Sequence, residues 1–314
     1  MHKLPVIFDT DPGLDDAIAL LFLLGARDEI DLLGITCVAG NVGIEAVSRN
    51  ARMVCEWAGR SDIKVYAGAE RPLIRHLVTA ERVHGKTGME GAPMHEPAMP
   101  LQEAHAVDFI IDTLRREPAG TVTLCPVGPL TNIALALLKA PDIAARIKQI
   151  VLMGGAYFEG GNVTPSAEFN FYVDPHSAQQ VLHAGIPLVM LPLDVTHKAC
   201  TSASRVAALS SLSNYCGPLA ASLLTSFERH DVQKYGQMGA PLHDPCAIAW
   251  LLAPGLFSGR EVNIEVETDS PLTQGHCAVD WWGTTGRSSN ALYLTEVDAD
   301  AMFGRMAQAI AKLP

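Results

Sequence analysis

Asp9, Asp11, Asp15 and Asp16 fall within eight residues, in the run Phe8-Asp9-Thr10-Asp11-Pro12-Gly13-Leu14-Asp15-Asp16-Ala17. Carboxylates within about 4–6 Å of each other raise one another's pKa unless a positive charge lies between them. No Lys or Arg occurs between Lys3 and Arg27, so the compensating charge must come from elsewhere in the fold or from a metal. The donors are all hard oxygens, which suit Ca²⁺ or Mg²⁺ better than a soft transition ion. A plainer reading covers two of the four acids: Asp15 could N-cap the following helix and Asp16 could complement its dipole. It leaves Asp9 and Asp11 unexplained, because carboxylates are disfavoured in strands. A metal is the preferred reading.

Other polar residues stand where such a cluster would need partners. Asn41 follows Gly40 at the end of a second apolar run, and its ordinary role would be a turn asparagine. Met153-Gly154-Gly155 ends a later run, where the glycines would let backbone approach a ligand. Glu168 and Asn170, at period two, would share one side of an extended segment. Asp244, followed by Pro245, reads as the N-cap of an apolar helix, and from there it could also complete a metal shell. His243 beside it could donate a proton. His84 sits in a long polar stretch, suited either to a lid contact or to solvent.

These residues must be carried by regular elements. Leu4 to Phe8 reads as a buried strand, Pro12-Gly13 as a turn, and Asp15 onward as a helix. Strands are expected over 32–38, around 64–66, and over 121–127, 149–153 and 187–191. Helices are expected over 44–57, 104–116, 130–139 and 174–184. The segment 68–100 breaks into Gly, Pro, His and charge, as a long surface excursion would. This alternation predicts an α/β fold with an open, mostly parallel, doubly wound, Rossmann-like sheet. Ligands of such sheets gather at the carboxyl ends of the strands, where the acids lie. Helices over 219–230 and 244–252, further strands between 261 and 293, and a last helix over 299–313 extend it. With no linker or repeat in sight, residues 1–314 read as one domain.

Composition narrows the function. A net charge of −11 argues against nucleic-acid or membrane-surface binding. Hydrophobic residues make up 48% of the chain, which supports a large core. Neither a signal peptide nor a transmembrane run is evident, so a cytoplasmic protein is expected. The seven cysteines are scattered singly without a C-x-x-C pair, unlike a disulfide framework or a zinc site.

Taken together, Asp9-Thr10-Asp11-Pro12-Gly13-Leu14-Asp15-Asp16, Ala39-Gly40-Asn41, Gly128-Pro129-Leu130-Thr131-Asn132, Met153-Gly154-Gly155, Glu168-Phe169-Asn170 and His243-Asp244 follow one another in a familiar order. The chain resembles the inosine–uridine nucleoside hydrolases over nearly its whole length. The resemblance implies hydrolysis of the N-glycosidic bond of ribonucleosides to ribose and free base, a single Ca²⁺, and a homodimer or homotetramer. It implies Asp11, Asp16, Asp244 and the carbonyl of Val127 as metal ligands, with Asp11 also taking the proton of the attacking water. Asp15, Asn41, Met153, Glu168 and Asn170 would contact the ribose. His243, then His84, would protonate the leaving base. The segment 227–236 looks like the helix lining the base pocket, with His230 and Tyr235 as base contacts. Similarity to the pyrimidine-preferring branch implies uridine and cytidine as substrates, with a purine-preferring or non-specific hydrolase as the alternative.

Two rivals differ in kind. A haloacid-dehalogenase-like phosphatase also ends its first strand with two aspartates, but no downstream Gly-Asp-x-x-x-Asp motif is present. A non-catalytic nucleoside binder would not require a placed base such as Asp11.

Overall fold

Alternate residues of the first strand enter different hydrophobic clusters. Val6 and Phe8 pack on one side and Ile7 on the other, so β1 (Leu4–Thr10) is buried on both faces. The same division recurs at Cys125 against Leu124 and at Val151 against Ile150, as a sheet covered by helices on both sides requires. This computed structural model describes residues 3–235 and 239–314, and of residues 228–235 the backbone alone.

The remaining strands are β2 (Ile30–Cys37), β3 (Val65–Ala67), β4 (Leu101–Gln102), β5 (Val122–Pro126), β6 (Ile147–Met153), β7 (Leu188–Leu191), β8 (Phe257–Val266), β9 (Cys277–Asp280) and β10 (Ala291–Val297). They form one sheet in the order β4-β3-β2-β1-β5-β6-β7-β10-β8-β9. Pairing is parallel from β4 through to β10, while β8 and β9 are antiparallel to their neighbours. The expected mostly parallel α/β sheet is therefore present. β10 joins the two parts of the sheet, parallel to β7 and antiparallel to β8. The chain winds outward from β1 to β4, then restarts at β5 on the other side of β1. A switch point thus lies between β1 and β5, and a crevice opens beyond their carboxyl ends.

Helix Leu14–Gly25 is buried along its full length. A helix apolar all round belongs inside a large core, and among the described residues no helix is long and apolar enough to cross a membrane. Gly13, not Asp15, occupies its N-cap position. The carboxylate of Asp16 accepts the Gly13 N–H at 2.9 Å. That overturns Asp15 as the cap and leaves its carboxylate for other work. Helix Ile44–Trp57 matches its expected span, with its apolar stripe turned to the sheet. The long excursion from 68 onward contains one short helical turn, Glu81–His84.

Candidate active site

Asp11 leaves the end of β1 with its carboxylate between Gly40 and Gly128, and a Cβ on either glycine would run into it. The absence of side chains there is what lets the two loops close on the acid. Asn41 N–H donates to Asp11 Oδ2 at 2.7 Å, and Asn41 Nδ2 donates to Asp11 O and to Asp16 Oδ2, both at 3.0 Å. Thr10 Oγ1 donates to Asp16 Oδ1 at 2.6 Å. Asn41 is therefore no mere turn residue; it fastens two acids.

Asp244 comes to the same place from the other end of the chain. It stands in the N-cap position of helix Pro245–Leu252, but its side chain makes no capping bond. Oxygens of Asp15, Asp16 and Asp244 lie within 4.8 Å of one another, all buried. Sequence reasoning grouped Asp11, Asp16 and Asp244. Asp15 joins Asp16 and Asp244 in the group whose oxygens lie within 4.8 Å, and Asp11 lines the same cavity.

The electrostatics are severe. Burial, then the charge of Asp16, pushes the Asp11 carboxyl well above its ordinary range. Burial, reinforced by Asp15, Asp16 and Asp11, does the same to Asp244. Burial raises Asp16 too, against the hydrogen bonds it accepts from Thr10 and Gly13. Among the described residues no Lys or Arg forms an ion pair with Asp11, Asp16 or Asp244. Buried carboxylates with hard oxygen donors and no basic partner fit a divalent cation of the Ca²⁺ or Mg²⁺ kind.

The cluster lies in a cavity of about 500 Å³, large enough for a nucleoside-sized molecule. Val127, Met153, Glu168, Asn170, His84 and His243 join the acids in its wall, as the sequence led us to expect. Their local structure differs in places. Glu168 and Asn170 do not share an extended segment. Glu168 caps the short helix Phe169–Val173, accepting the N–H groups of Asn170 (2.9 Å) and Phe171 (3.2 Å) and also that of Gly155 (2.8 Å). A carboxylate satisfying several orphan donors starts a helix here, while burial pushes its pKa up to about 7. Asn170 Nδ2 donates to the carbonyls of Val127 at 2.7 Å and Met153 at 3.2 Å, tying the ends of β5 and β6 together. His84 is neither solvated nor superficial. It is buried, and its Nδ1 accepts the Leu14 N–H at 3.1 Å. Phe227 stacks on His84 with ring centroids 6.0 Å apart and meets His243 edge-on at 6.4 Å, making an aromatic wall. The side chains of His230 and Tyr235 lie outside the described residues.

Sequence reasoning missed the support beneath the site. Asp9 is not among the residues lining the cavity, and its Oδ2 accepts Thr36 Oγ1 at 2.6 Å and Asn132 Nδ2 at 2.7 Å. Asn132 also bonds Cys37 O and the Ala69 N–H, joining three strand ends. The only signal was Asn132's place after Gly128-Pro129. Asn162 and Val163, which line the cavity, carried no pattern at all.

A family model for inosine-uridine preferring nucleoside hydrolases matches residues 6–304. The chain belongs to that family. This hydrolase is 52% identical to an uncharacterized protein of Schizosaccharomyces pombe, over 98% of this chain and 99% of that one. It is 44% identical to the pyrimidine-specific ribonucleoside hydrolase RihA of Citrobacter koseri, over 98% of both chains. Among solved structures it is similar to a purine-preferring ribonucleoside hydrolase from Gardnerella vaginalis, with a TM-score of 0.90, 29% identity and 98% of both chains covered. A plant nucleoside hydrolase gives a TM-score of 0.91 at 27% identity over 99% of both. The hydrolase is accordingly an N-glycosyl hydrolase acting on nucleosides, which excludes the phosphatase as its family.

Proposed function

We propose that this nucleoside hydrolase is one domain, residues 1–314, that splits pyrimidine ribonucleosides, uridine and cytidine, into ribose and free base with a bound Ca²⁺. The observation that carries the metal and sugar part is the convergence of buried carboxylates in one cavity at the β1/β5 switch point. The base preference draws on relatives 44–45% identical that are named pyrimidine-specific.

Asp11, Asp16, Asp244 and the carbonyl of Val127 would hold the ion. When bound, it would supply positive charge that acidifies a water and orients two ribose hydroxyls. Asp11, clamped by Asn41, would accept the proton of the attacking water. Asp15, Asn41, Met153, Glu168 and Asn170 would hold the sugar. The carboxylates of Asp15 and Glu168 would favour the oxocarbenium-like cation that develops as the bond to the base breaks. His243 would protonate the departing base. His84, whose Nδ1 accepts the Leu14 N–H, is the second choice. His230 and Tyr235 would complete the base pocket.

We further propose a homotetramer or homodimer, for which the exposed Phe158 and Trp282, flanking Trp281, offer apolar surface. Seven cysteines, none in a disulfide, are suited to a reducing compartment and support a cytoplasmic location.

The test is to incubate purified protein with uridine, cytidine, inosine and adenosine, with and without a chelator, and measure free ribose. Metal-dependent release from the pyrimidine nucleosides is expected. Faster release from inosine would reverse the base preference, and release indifferent to chelation would refute the metal.

A further inference from the structure

The short helix Leu193–Thr196 follows β7 and is hydrogen-bonded both to Gly155 and to His243, a residue of the cavity wall. On the sugar side, Leu193 N–H donates to Gly155 O at 2.9 Å. Asp194, buried, accepts the N–H groups of Tyr157 (2.9 Å), Phe158 (2.6 Å) and Glu159 (3.1 Å). It also accepts the hydroxyl of Tyr293 at 2.5 Å. Four donors on one carboxylate anchor the helix to β10 and to the loop that leads to Asn162 and Val163. On the base side, Thr196 is fully buried and its Oγ1 lies 2.8 Å from Nδ1 of His243. The last residue of a firmly anchored element thus meets the imidazole of His243, which lines the cavity.

We propose that Thr196 is a positioning residue for His243. It fixes the ring's orientation and tautomer, with Asp194 as its anchor. With Thr196 Oγ1 accepting from Nδ1–H, the protonated ring gives its Nε2 proton to the base and ends neutral, its remaining proton still held on Nδ1. A hydrogen-bonded partner that selects tautomer and orientation is a recurring requirement for working histidines. The inference rests on His243 being the leaving-group acid.

The experiment compares uridine with 4-nitrophenyl riboside, whose phenolate leaves without a proton. Thr196→Val keeps the shape and removes the hydroxyl. Its kcat on uridine should fall about tenfold or more, part of the roughly 10²–10⁴ a general acid supplies. The ratio of nitrophenyl riboside to uridine turnover should rise by a similar factor, and Thr196→Ser should restore it. Imidazole ¹⁵N NMR of the full-length enzyme, with His243 assigned by its substitution, should show the neutral ring protonated on Nδ1 in the wild type and a mixed tautomer in the variant. Equal losses on both substrates, an unchanged ratio, or an unaltered tautomer would overturn the assignment. Thr196→Ala serves the same comparison if the valine variant fails to fold. His243→Ala in parallel separates the two ideas. If it loses equally on both substrates, the acid reading fails. If it discriminates and Thr196→Val does not, only the role of Thr196 fails.

Discussion

Asn41 holds Asp11 from two directions, its backbone N–H on the carboxylate at 2.7 Å and its side-chain amide on the Asp11 carbonyl at 3.0 Å. Substituting the two residues should therefore have unequal effects. Asp11→Ala would remove both the proposed base and part of the proposed ion shell, and kcat on uridine should drop by roughly 10³ or more. Asn41→Ala keeps the backbone bond and loses only the amide's, so a smaller fall is expected. Ribose-release kinetics of both variants measure this, and near-normal turnover of Asp11→Ala would remove Asp11 from the mechanism.

Gly40→Ala and Gly128→Ala each place a methyl against the Asp11 carboxylate. Both variants should fold yet bind the metal more weakly, by about tenfold or more, because a carboxylate displaced by even a fraction of an ångström no longer fits the shell. Calcium titration by calorimetry is the check, and wild-type affinity in both would contradict the placement of Asp11.

Asn132→Leu should cost about 2–4 kcal/mol of stability, because Asp9, the carbonyl of Cys37 and the N–H of Ala69 all lose a buried partner. Denaturant unfolding of the two proteins measures it. A change within a few tenths of a kcal/mol would mean that water replaces the amide.

Burial holds the carboxyls of Asp9 and Glu168 up at about 7, above their ordinary values of 3.8 and 4.5. The folded metal-free protein then binds these protons more tightly than the unfolded chain. That stabilisation is complete below about pH 4 and is lost as pH rises through about 7. The Tm of the chelated protein should fall between about pH 5 and 7.5, and Ca²⁺ should raise Tm most at the upper end, where carboxylates are ionised. Scanning calorimetry across that range tests both, and a Tm that climbs with pH in the chelated protein would count against this.

The sequence by itself determined the parallel α/β sheet, the acid cluster at the end of its first strand and the order of the site motifs. These are local: an apolar run, a Pro-Gly turn and four closely spaced aspartates are legible wherever they occur. Helix Ile44–Trp57 could be placed to the residue because its amphipathic stripe runs its full length. The places that Asp15, Asp244, Glu168 and His84 take around the cavity were decided only by tertiary structure. Gly13 displaces Asp15 from the cap, Asp244 leaves its own helix start uncapped, and Glu168 begins a helix where a strand-like spacing suggested extension. The undergirding contacts of Asp9, Asn132, Asp194 and Thr196 join residues from 27 to 123 positions apart. Such pairings depend on which strand ends the sheet order makes neighbours, and no local periodicity encodes that order.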